Sequence, residues 1–227
     1  MMVNEPLADA SDMFMVHAMF RREFGLMPDL VRAVADGDGQ RVALVADHVD
    51  LMALTLDTHH SEEDKHVWPR LRERCPDECT ALVDVMQDQH HTVHTYLLRV
   101  TEAEQAWRDS TSADTRDALA DALGPFLAAL TEHLALEEER IVPLIEKYIT
   151  EAEWALVPQD AAANFPPDKL TVVFGMTIYE ADPAAVDMTV AQMPDEIRPV
   201  IKDLATQTYA AYAKELYGTA TPPRVTD

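Results

Sequence analysis

Residues 59–69 read HHSEEDKHVWP, and residues 133–143 read HLALEEERIVP. Each stretch has a histidine, acids four and five residues later, large apolar residues at plus eight and nine, and a proline at plus ten. On an α-helix, residues four apart lie on one face, about 6 Å apart along the axis. Each stretch can therefore direct one imidazole and one carboxylate to the same point. The duplication predicts a two-metal site inside a helical bundle.

The rest of the sequence also predicts helices, because its apolar residues recur at helical spacing and never alternate convincingly. We expect four long antiparallel segments with short connections, which make an up-down-up-down four-helix bundle in an all-α protein. The first segment is expected over 12–37 with interruptions at Gly25 and Pro28, and the second over 40–72. The third is expected over 77–109 with Asp77 as N-cap. The fourth is expected to end at Tyr148, with a break near Gly124-Pro125.

After Thr150 the pattern changes, since repeated prolines divide the chain into shorter helices. The last of these is expected from about Pro194 to Tyr217. About 75 residues in short pieces bury little core by themselves. We therefore predict that residues 1–149 form the bundle and residues 150–227 form a helical extension packed on it.

Each predicted bundle helix offers a histidine on its apolar face, and two helices add a carboxylate. One such pair alone would more often be a surface ion pair. Two pairs in matching contexts, with a histidine on both remaining helices, favour a metal site, because burying these groups without a metal is costly. The predicted ligands are His17, His59, Glu63, His90, His133 and Glu137.

Neighbouring residues leave alternatives open. His60 has Asp64 at plus four and offers a second register of the same motif, but the alignment of the two prolines at plus ten favours His59 with Glu63. Glu138, at plus five from His133, could replace Glu137 as the direct ligand.

Other acids and histidines receive smaller roles. The acids Glu62, Asp64 and Glu138 are candidates to accept hydrogen bonds from ligand imidazoles and so orient them. We do not expect His48 or His66 to bind metal, since neither has a matching acid in the motif.

The order of these residues resembles the hemerythrin-like HHE cation-binding family over about residues 10–157. The Trp68-Pro69 and Val142-Pro143 endings agree with that family. The run Met86–His90 and the pair Glu153-Trp154 resemble its actinobacterial members.

The resemblance implies a four-helix bundle that holds a non-haem di-iron centre, two iron ions with an oxo or hydroxo bridge, spanned by both carboxylates and capped by histidines. Hemerythrins use five histidines with a His-xxx-His pair on the third helix, which would make His94 a possible fifth histidine ligand beside His90. The oxygen carriers place the fourth-helix acid at plus five. This chain has Glu at plus four and plus five, so the bridging residue stays open.

Composition limits the partners. The formal net charge of −23 disfavours nucleic acid and anionic membrane surfaces, because both are negatively charged. No apolar run reaches 18 residues, and the first residues lack the features of a secretory signal, so we expect a cytoplasmic protein. The cysteines, Cys75 and Cys79, fit neither a redox motif nor a zinc site, and we expect them to be reduced.

Imidazole and carboxylate ligands suit iron, and a di-iron pair can exchange electrons with O₂ or peroxide. The first hypothesis is therefore a protein that binds, senses or reduces O₂, peroxide or NO. A di-iron oxygenase is an alternative, in which Tyr179, Tyr209, Tyr212 and Tyr217 line a substrate pocket. A third is an interaction module that senses iron or oxygen and docks a partner through the extension. The sequence predicts no oligomeric state.

Overall fold

The computed structural model describes residues 5–224, so the ends of the predicted bundle (1–4) and extension (225–227) lie outside the described residues. The described part contains helices and no β-strand, with one isolated bridge between Leu7 and Thr150. The elements are α1 (Asp12–Arg32), α2 (Gly39–His66), α3 (Trp68–Arg74), α4 (Pro76–Ser110), α5 (Ala113–Leu136), a π-helical turn (Glu137–Ile141), α6 (Val142–Tyr148), α7 (Glu151–Trp154), α8 (Leu156–Asn164), α9 (Pro167–Ile178), α10 (Pro183–Ala191) and α11 (Arg198–Tyr217).

Four long helices form the bundle, which confirms the predicted fold class. α4 packs on α5 and α2, and α1 packs on α5 and α2. Large apolar side chains from three of these helices meet in the centre, where Phe20, Phe24, Met52 and Phe126 are fully buried. Burial of this apolar stripe, which recurs every three to four residues, is what pairs the helices.

Two predicted helix breaks are wrong. Pro28 lies inside α1 and Pro125 inside α5, and both helices continue through them. A proline removes one intrahelical hydrogen bond, but the apolar faces on either side stay buried in the same core and hold the helix together. The second predicted helix instead breaks at Val67, and Pro69 lies in the first turn of α3, where its missing N–H costs nothing. The third helix begins at Pro76, with no cap from Asp77.

The expectation of free thiols is also wrong in the structure. Cys75 ends α3 and Cys79 lies in the first turn of α4, with Cα atoms 5.5 Å apart. This separation is within the range that a disulfide requires. Their sulfur atoms are bonded as a disulfide beneath the α3–α4 corner, and both residues are buried.

By length and composition alone, the stretch Ala113–Tyr148 could cross a membrane. In the structure this stretch is the fourth long segment of the bundle, made of α5, the π turn and α6. It carries His133 and Glu137 fully buried against the other bundle helices. Core helices of this kind pass the same hydropathy criterion, so the finding is weak evidence for a membrane span.

Helices α7 to α11 pack along the bundle: α8 contacts α2, and α9 contacts α1 and α11. Helices α9 and α11 approach each other closely at Gly175. A Cβ added there would meet the backbone oxygen of Ala205 and would lie 2.7 Å from the Cβ of Tyr209. Glycine is therefore what lets these two helices touch. The boundary at residue 149/150 as a division into two units stays a prediction.

A buried polar network joins the extension to the bundle. Glu23 of α1 and His48 of α2 are fully buried, and Arg22 Nε donates to Glu23 at 2.8 Å. From α11, the hydroxyls of Tyr209 and Tyr217 donate to the two oxygens of Glu23 at 2.5 and 2.6 Å. Burial opposes the charge on Glu23, but His48, Arg22 and the two hydroxyls hold its pKa below the usual range. The extension thus supplies hydrogen bonds that a buried bundle carboxylate requires.

Candidate metal centre

The six predicted ligands converge at one buried point of the bundle. His17 comes from α1, His59 and Glu63 from α2, His90 from α4, His133 from α5 and Glu137 from the π turn. None of the six side chains is more than 10% exposed. The helical spacing therefore brings together the residues that it singled out. That these residues are metal ligands remains a proposal.

Each carboxylate lies between imidazoles of two different helices. Glu63 Oε1 is 3.1 Å from His59 Nε2, and its Oε2 is 3.4 Å from His90 Nε2. Glu137 Oε2 is 3.5 Å from the Nε2 atoms of both His17 and His133. Each carboxylate thus connects imidazoles of two helices across the centre of the bundle.

Sequence reasoning set His60 aside, and the structure places it in the site. Its ring stacks on His90 with centroids 4.0 Å apart and meets His133 edge-on at 4.9 Å. Consecutive helical residues point 100° apart, but the inward sector of a bundle helix is at least that wide, so His59 and His60 can flank the same point. The sequence does contain a signal for His60, namely the pair of adjacent histidines. The alignment of the two prolines at plus ten favoured His59 and so left His60 out of the predicted ligands.

Two overlapping groups of donor atoms result, each within 4.8 Å. The first contains His60, His90, His133 and Glu63. The second contains His17, His59, Glu63 and Glu137. Glu63 belongs to both groups, as a carboxylate that bridges two cations should.

His94 does not belong to the site. It is half-exposed, and its Nδ1 lies 3.2 Å from Asp57 Oδ1, which is also on the surface. Its predicted role as a fifth histidine beside His90 is therefore not met in the structure. His60 on α2 is the fifth histidine of the cluster instead, so the His-xxx-His pair on the third helix that the resemblance implied does not form.

Acids on the outer side of the cluster orient two of the rings. His90 Nδ1 is 3.1 Å from Asp64, and His17 Nδ1 is 2.9 Å from Glu138. Each Nδ1 carries a hydrogen toward its acid, which leaves Nε2 free to face the centre. Arg21 holds Glu138 with two hydrogen bonds of 2.6 and 3.0 Å. The prediction that Glu62 orients a ligand is not met, since Glu62 pairs with His66 and Lys65.

The π turn separates the two acids at plus four and plus five. Glu137 points into the centre and is fully buried, whereas Glu138 lies outside it, on the outer nitrogen of His17. A π turn holds one more residue than an α turn and is common at functional sites. It widens the backbone at this point, so consecutive acids can serve the inner and outer sides of one histidine.

The inner atoms of the cluster have no hydrogen-bond partner among the described residues. A buried polar group without a partner costs about 1–3 kcal/mol, and more when charged. Such a concentration of unpaired donor atoms is the pattern expected where a cation completes the site. The unpaired atoms are Nε2 of His17, His59, His60, His90 and His133, and both carboxylate oxygens of Glu63 and Glu137.

Burial sets the protonation of the imidazoles. It lowers the pKa of His59 to about 4 and that of His133 to about 3, so both are neutral and able to donate a lone pair at pH 7. Burial also lowers the pKa of His60. For His90, burial acts in the same direction, but Asp64 and Glu63 outweigh it and raise the pKa to about 9, so a cation would have to displace a proton from His90 Nε2.

The two carboxylates differ. Burial opposes ionisation of Glu63, yet the nearby imidazoles, His59 first, lower its pKa to about 2. Burial and the charge of Glu63 raise the pKa of Glu137 well above the usual range. Two carboxylates this close cannot both ionise readily without positive charge between them. A divalent cation would supply that charge and let Glu137 ionise.

The residues present therefore fit a metal centre, since imidazole nitrogen and carboxylate oxygen are the ligands of iron, zinc and related metals. Comparison with known proteins agrees. Residues 9–145 match the model of the hemerythrin HHE cation binding domain. No curated protein and no solved structure matches the chain. The likeness of Met86–His90 and Glu153-Trp154 to actinobacterial members is untested and stays a prediction. Since the match covers well over half of the sequence, the chain belongs to the hemerythrin HHE cation-binding family.

Proposed function

We propose that the chain is a non-haem di-iron protein that binds or reduces O₂ or peroxide inside its helical bundle, with NO as a further small ligand. The observation that carries the proposal is the convergence of five imidazole nitrogens and two carboxylates, all buried and with no hydrogen-bond partner among the described residues. Mixed nitrogen and oxygen ligands on facing helices are the arrangement that di-iron carboxylate bundles use.

Iron bound here would supply electrons to O₂ or peroxide, which zinc cannot do because it has no redox chemistry. The protein's contribution is to hold the ligands and exclude water. His60, His90 and His133 form one side, and His17 with His59 forms the other. These two sets of histidines would each hold one iron, and Glu63 and Glu137 would complete the ligand set. On the His17–His59 side, the ring of Phe20 lies 5.3 Å from His59.

The same side has a connection to solvent. His17 Nδ1 contacts Glu138, whose side chain is 20% exposed and is held by Arg21. Burial opposes the charge on Glu138, but His17 and Arg21 outweigh it and lower its pKa to about 2. Glu138 thus stays ionised and holds the Nδ1 proton of His17. In our proposal this pair keeps His17 in the tautomer that presents Nε2 inward.

No observation favours the oxygenase alternative. The tyrosines expected to line a substrate pocket use their hydroxyls elsewhere: Tyr209 and Tyr217 at Glu23, Tyr212 at His48, and Tyr179 at the backbone oxygen of Pro222. A sensing module that docks a partner through the extension likewise has no observation of its own.

The expectations on partners and location rest on composition. The net charge of −23 supports the proposal that neither nucleic acid nor an anionic membrane is a partner. A cytoplasmic location remains a prediction as well.

The test is to express the full chain in iron-replete medium and purify it in air. We expect close to two irons per chain and near-ultraviolet absorption from a ferric pair, which bleaches on reduction and returns with O₂ or peroxide. His59→Ala and His133→Ala should lose iron, whereas His94→Ala, at the surface, should retain it. One zinc per chain, or no metal at all, would contradict the proposal.

A further inference from the structure

We propose that His66, Glu62 and Asp160 form a second, separate site for a divalent cation such as Zn²⁺, which clamps the extension to the bundle. His66 and Glu62 lie on α2, one turn apart, and Asp160 lies on α8. Asp160 is beyond residues 9–145, so the matched family domain contains two of the three ligands and not the complete site. The proposal does not depend on iron in the main centre.

The geometry suits a small cation. His66 Nε2 is 2.9 Å from Asp160 Oδ2 and 3.3 Å from Glu62 Oε2, and the three donor atoms lie within 4.8 Å of one another. Zinc binds nitrogen and oxygen ligands at about 2.0–2.2 Å in a tetrahedron, which places neighbouring ligand atoms roughly 3.4 Å apart. The three side chains are therefore near the required separation. His66 and Glu62 are buried, which fixes two of them in place.

The local charge also favours the binding of a cation. Two carboxylates face one imidazole nitrogen, which carries at most one proton. Lys65 supplies positive charge, with Nζ 2.6 Å from Asp160 and 3.4 Å from Glu62. Its hydrogen bond to Asp160 raises the pKa of Lys65, burial opposes this, and the hydrogen bond to Glu62 raises the pKa further. Lys65 is half-exposed on a flexible side chain, so it can leave when a divalent cation with twice its charge arrives.

The remaining neighbours permit this exchange. Cation binding through Nε2 places the imidazole proton on Nδ1, so Arg70 Nη1, a donor that lies 3.5 Å from Nδ1, gives up this weak contact. Arg70 keeps its main contact, a 2.5 Å hydrogen bond to the His66 carbonyl. Three protein ligands leave the fourth position of a tetrahedron for water. Asn164 Nδ2 donates to Glu62 Oε1 at 3.4 Å, which leaves Oε2 for the cation. The arrangement is that of an open three-ligand zinc site.

The experiment is Zn²⁺ titration of the full-length, iron-loaded protein against a chromophoric chelator. The wild-type chain should bind one zinc beyond the metal of its main centre. His66→Ala and Asp160→Asn should each weaken this extra zinc by about 100-fold or more, since each removes a ligand. Lys65→Met should bind it about 5-fold more tightly, because a competing charge is gone. The matched control is Lys147→Met, another surface lysine paired with an acid, which should leave zinc binding unchanged.

Two results would overturn the proposal: no extra zinc in the wild-type chain, or an extra zinc that Asp160→Asn and His66→Ala retain. Equal affinities in the Lys65→Met and wild-type chains would also contradict it, because a site at these three residues must compete with Lys65. Circular dichroism of each variant separates loss of the site from loss of the fold. Failure to load iron would count against the di-iron function alone, since the extra zinc is assigned by its own variants.

Discussion

Replacing His60 by leucine should weaken metal binding while leaving the metal-free fold at least as stable. His60 is 7% exposed, and its Nε2 has no hydrogen-bond partner among the described residues. An unpaired buried polar group costs about 1–3 kcal/mol. Leucine has a similar volume and no such atom, so the metal-free variant should unfold at the same or a higher temperature than the wild type.

The metal-loaded protein should respond in the opposite direction. A structural zinc site with four ligands binds with about 10–16 kcal/mol, or roughly 3 kcal/mol per ligand. Losing one ligand should therefore weaken metal affinity by about 100-fold. His94→Leu is the matched control, because His94 is half-exposed and lies outside both donor groups. It should change neither metal affinity nor the difference between loaded and metal-free melting temperatures.

The assay is metal content after dialysis against a chelator of known affinity, together with paired thermal melts of loaded and stripped protein. The reasoning would be refuted if His60→Leu kept the metal affinity of the wild type. It would equally be refuted if the stripped variant lost as much stability as the loaded one. Either result would make His60 a packing residue of the bundle.

Three further changes test other parts of the structure. Arg21→Met should lower metal affinity by about 10-fold, because Glu138 loses the partner that anchors it against a ligand histidine, and metal competition measures this. His48 has a pKa of about 4 in the fold, chiefly through burial, and about 6.5 when unfolded, so the unfolded chain binds the proton first as pH falls. The free energy of unfolding of metal-stripped protein should therefore drop by up to roughly 3 kcal/mol between pH 6.5 and 4 from this residue alone. Denaturant titrations of His48→Phe should show a smaller drop in the free energy of unfolding over the same pH range. Gly175→Ala should lower the melting temperature, because the added methyl group meets α11, whereas Gly25→Ala, with open space around it, should raise stability by up to about 1 kcal/mol.

The bundle and its inner ring of ligands were predictable because they follow from periodicity. A four-residue spacing fixes which side chains share a helix face, and four such faces must meet in a bundle. Periodicity says less about how much of a helix faces inward. His60 was therefore set aside, although the interior sector of α2 is wide enough for both members of the His-His pair. His94 shows the converse, since a correct spacing from His90 did not bring it inside.

Contacts outside the repeated helical motif lay beyond prediction. His48 was set aside because it has no matching acid in the motif, yet Glu23 and two tyrosines of α11, Tyr212 and Tyr217, contact it in the fold. The helix breaks were misplaced for a related reason. Proline lowers the stability of a helix locally, but packing against other helices decides whether the helix continues, as it does through Pro125.

The π turn has a consequence for comparing this chain with its relatives. An extra residue in a helix is an insertion of length one, and a π turn absorbs it without rotating the side chains that follow, so its loss would restore an ordinary α turn. A relative that lacks either Glu137 or Glu138 and is one residue shorter here could still direct a carboxylate inward and keep the following helix in register. Alignments of this segment should therefore be judged by helical phase, and a single-residue gap beside these glutamates should not be taken as loss of the site.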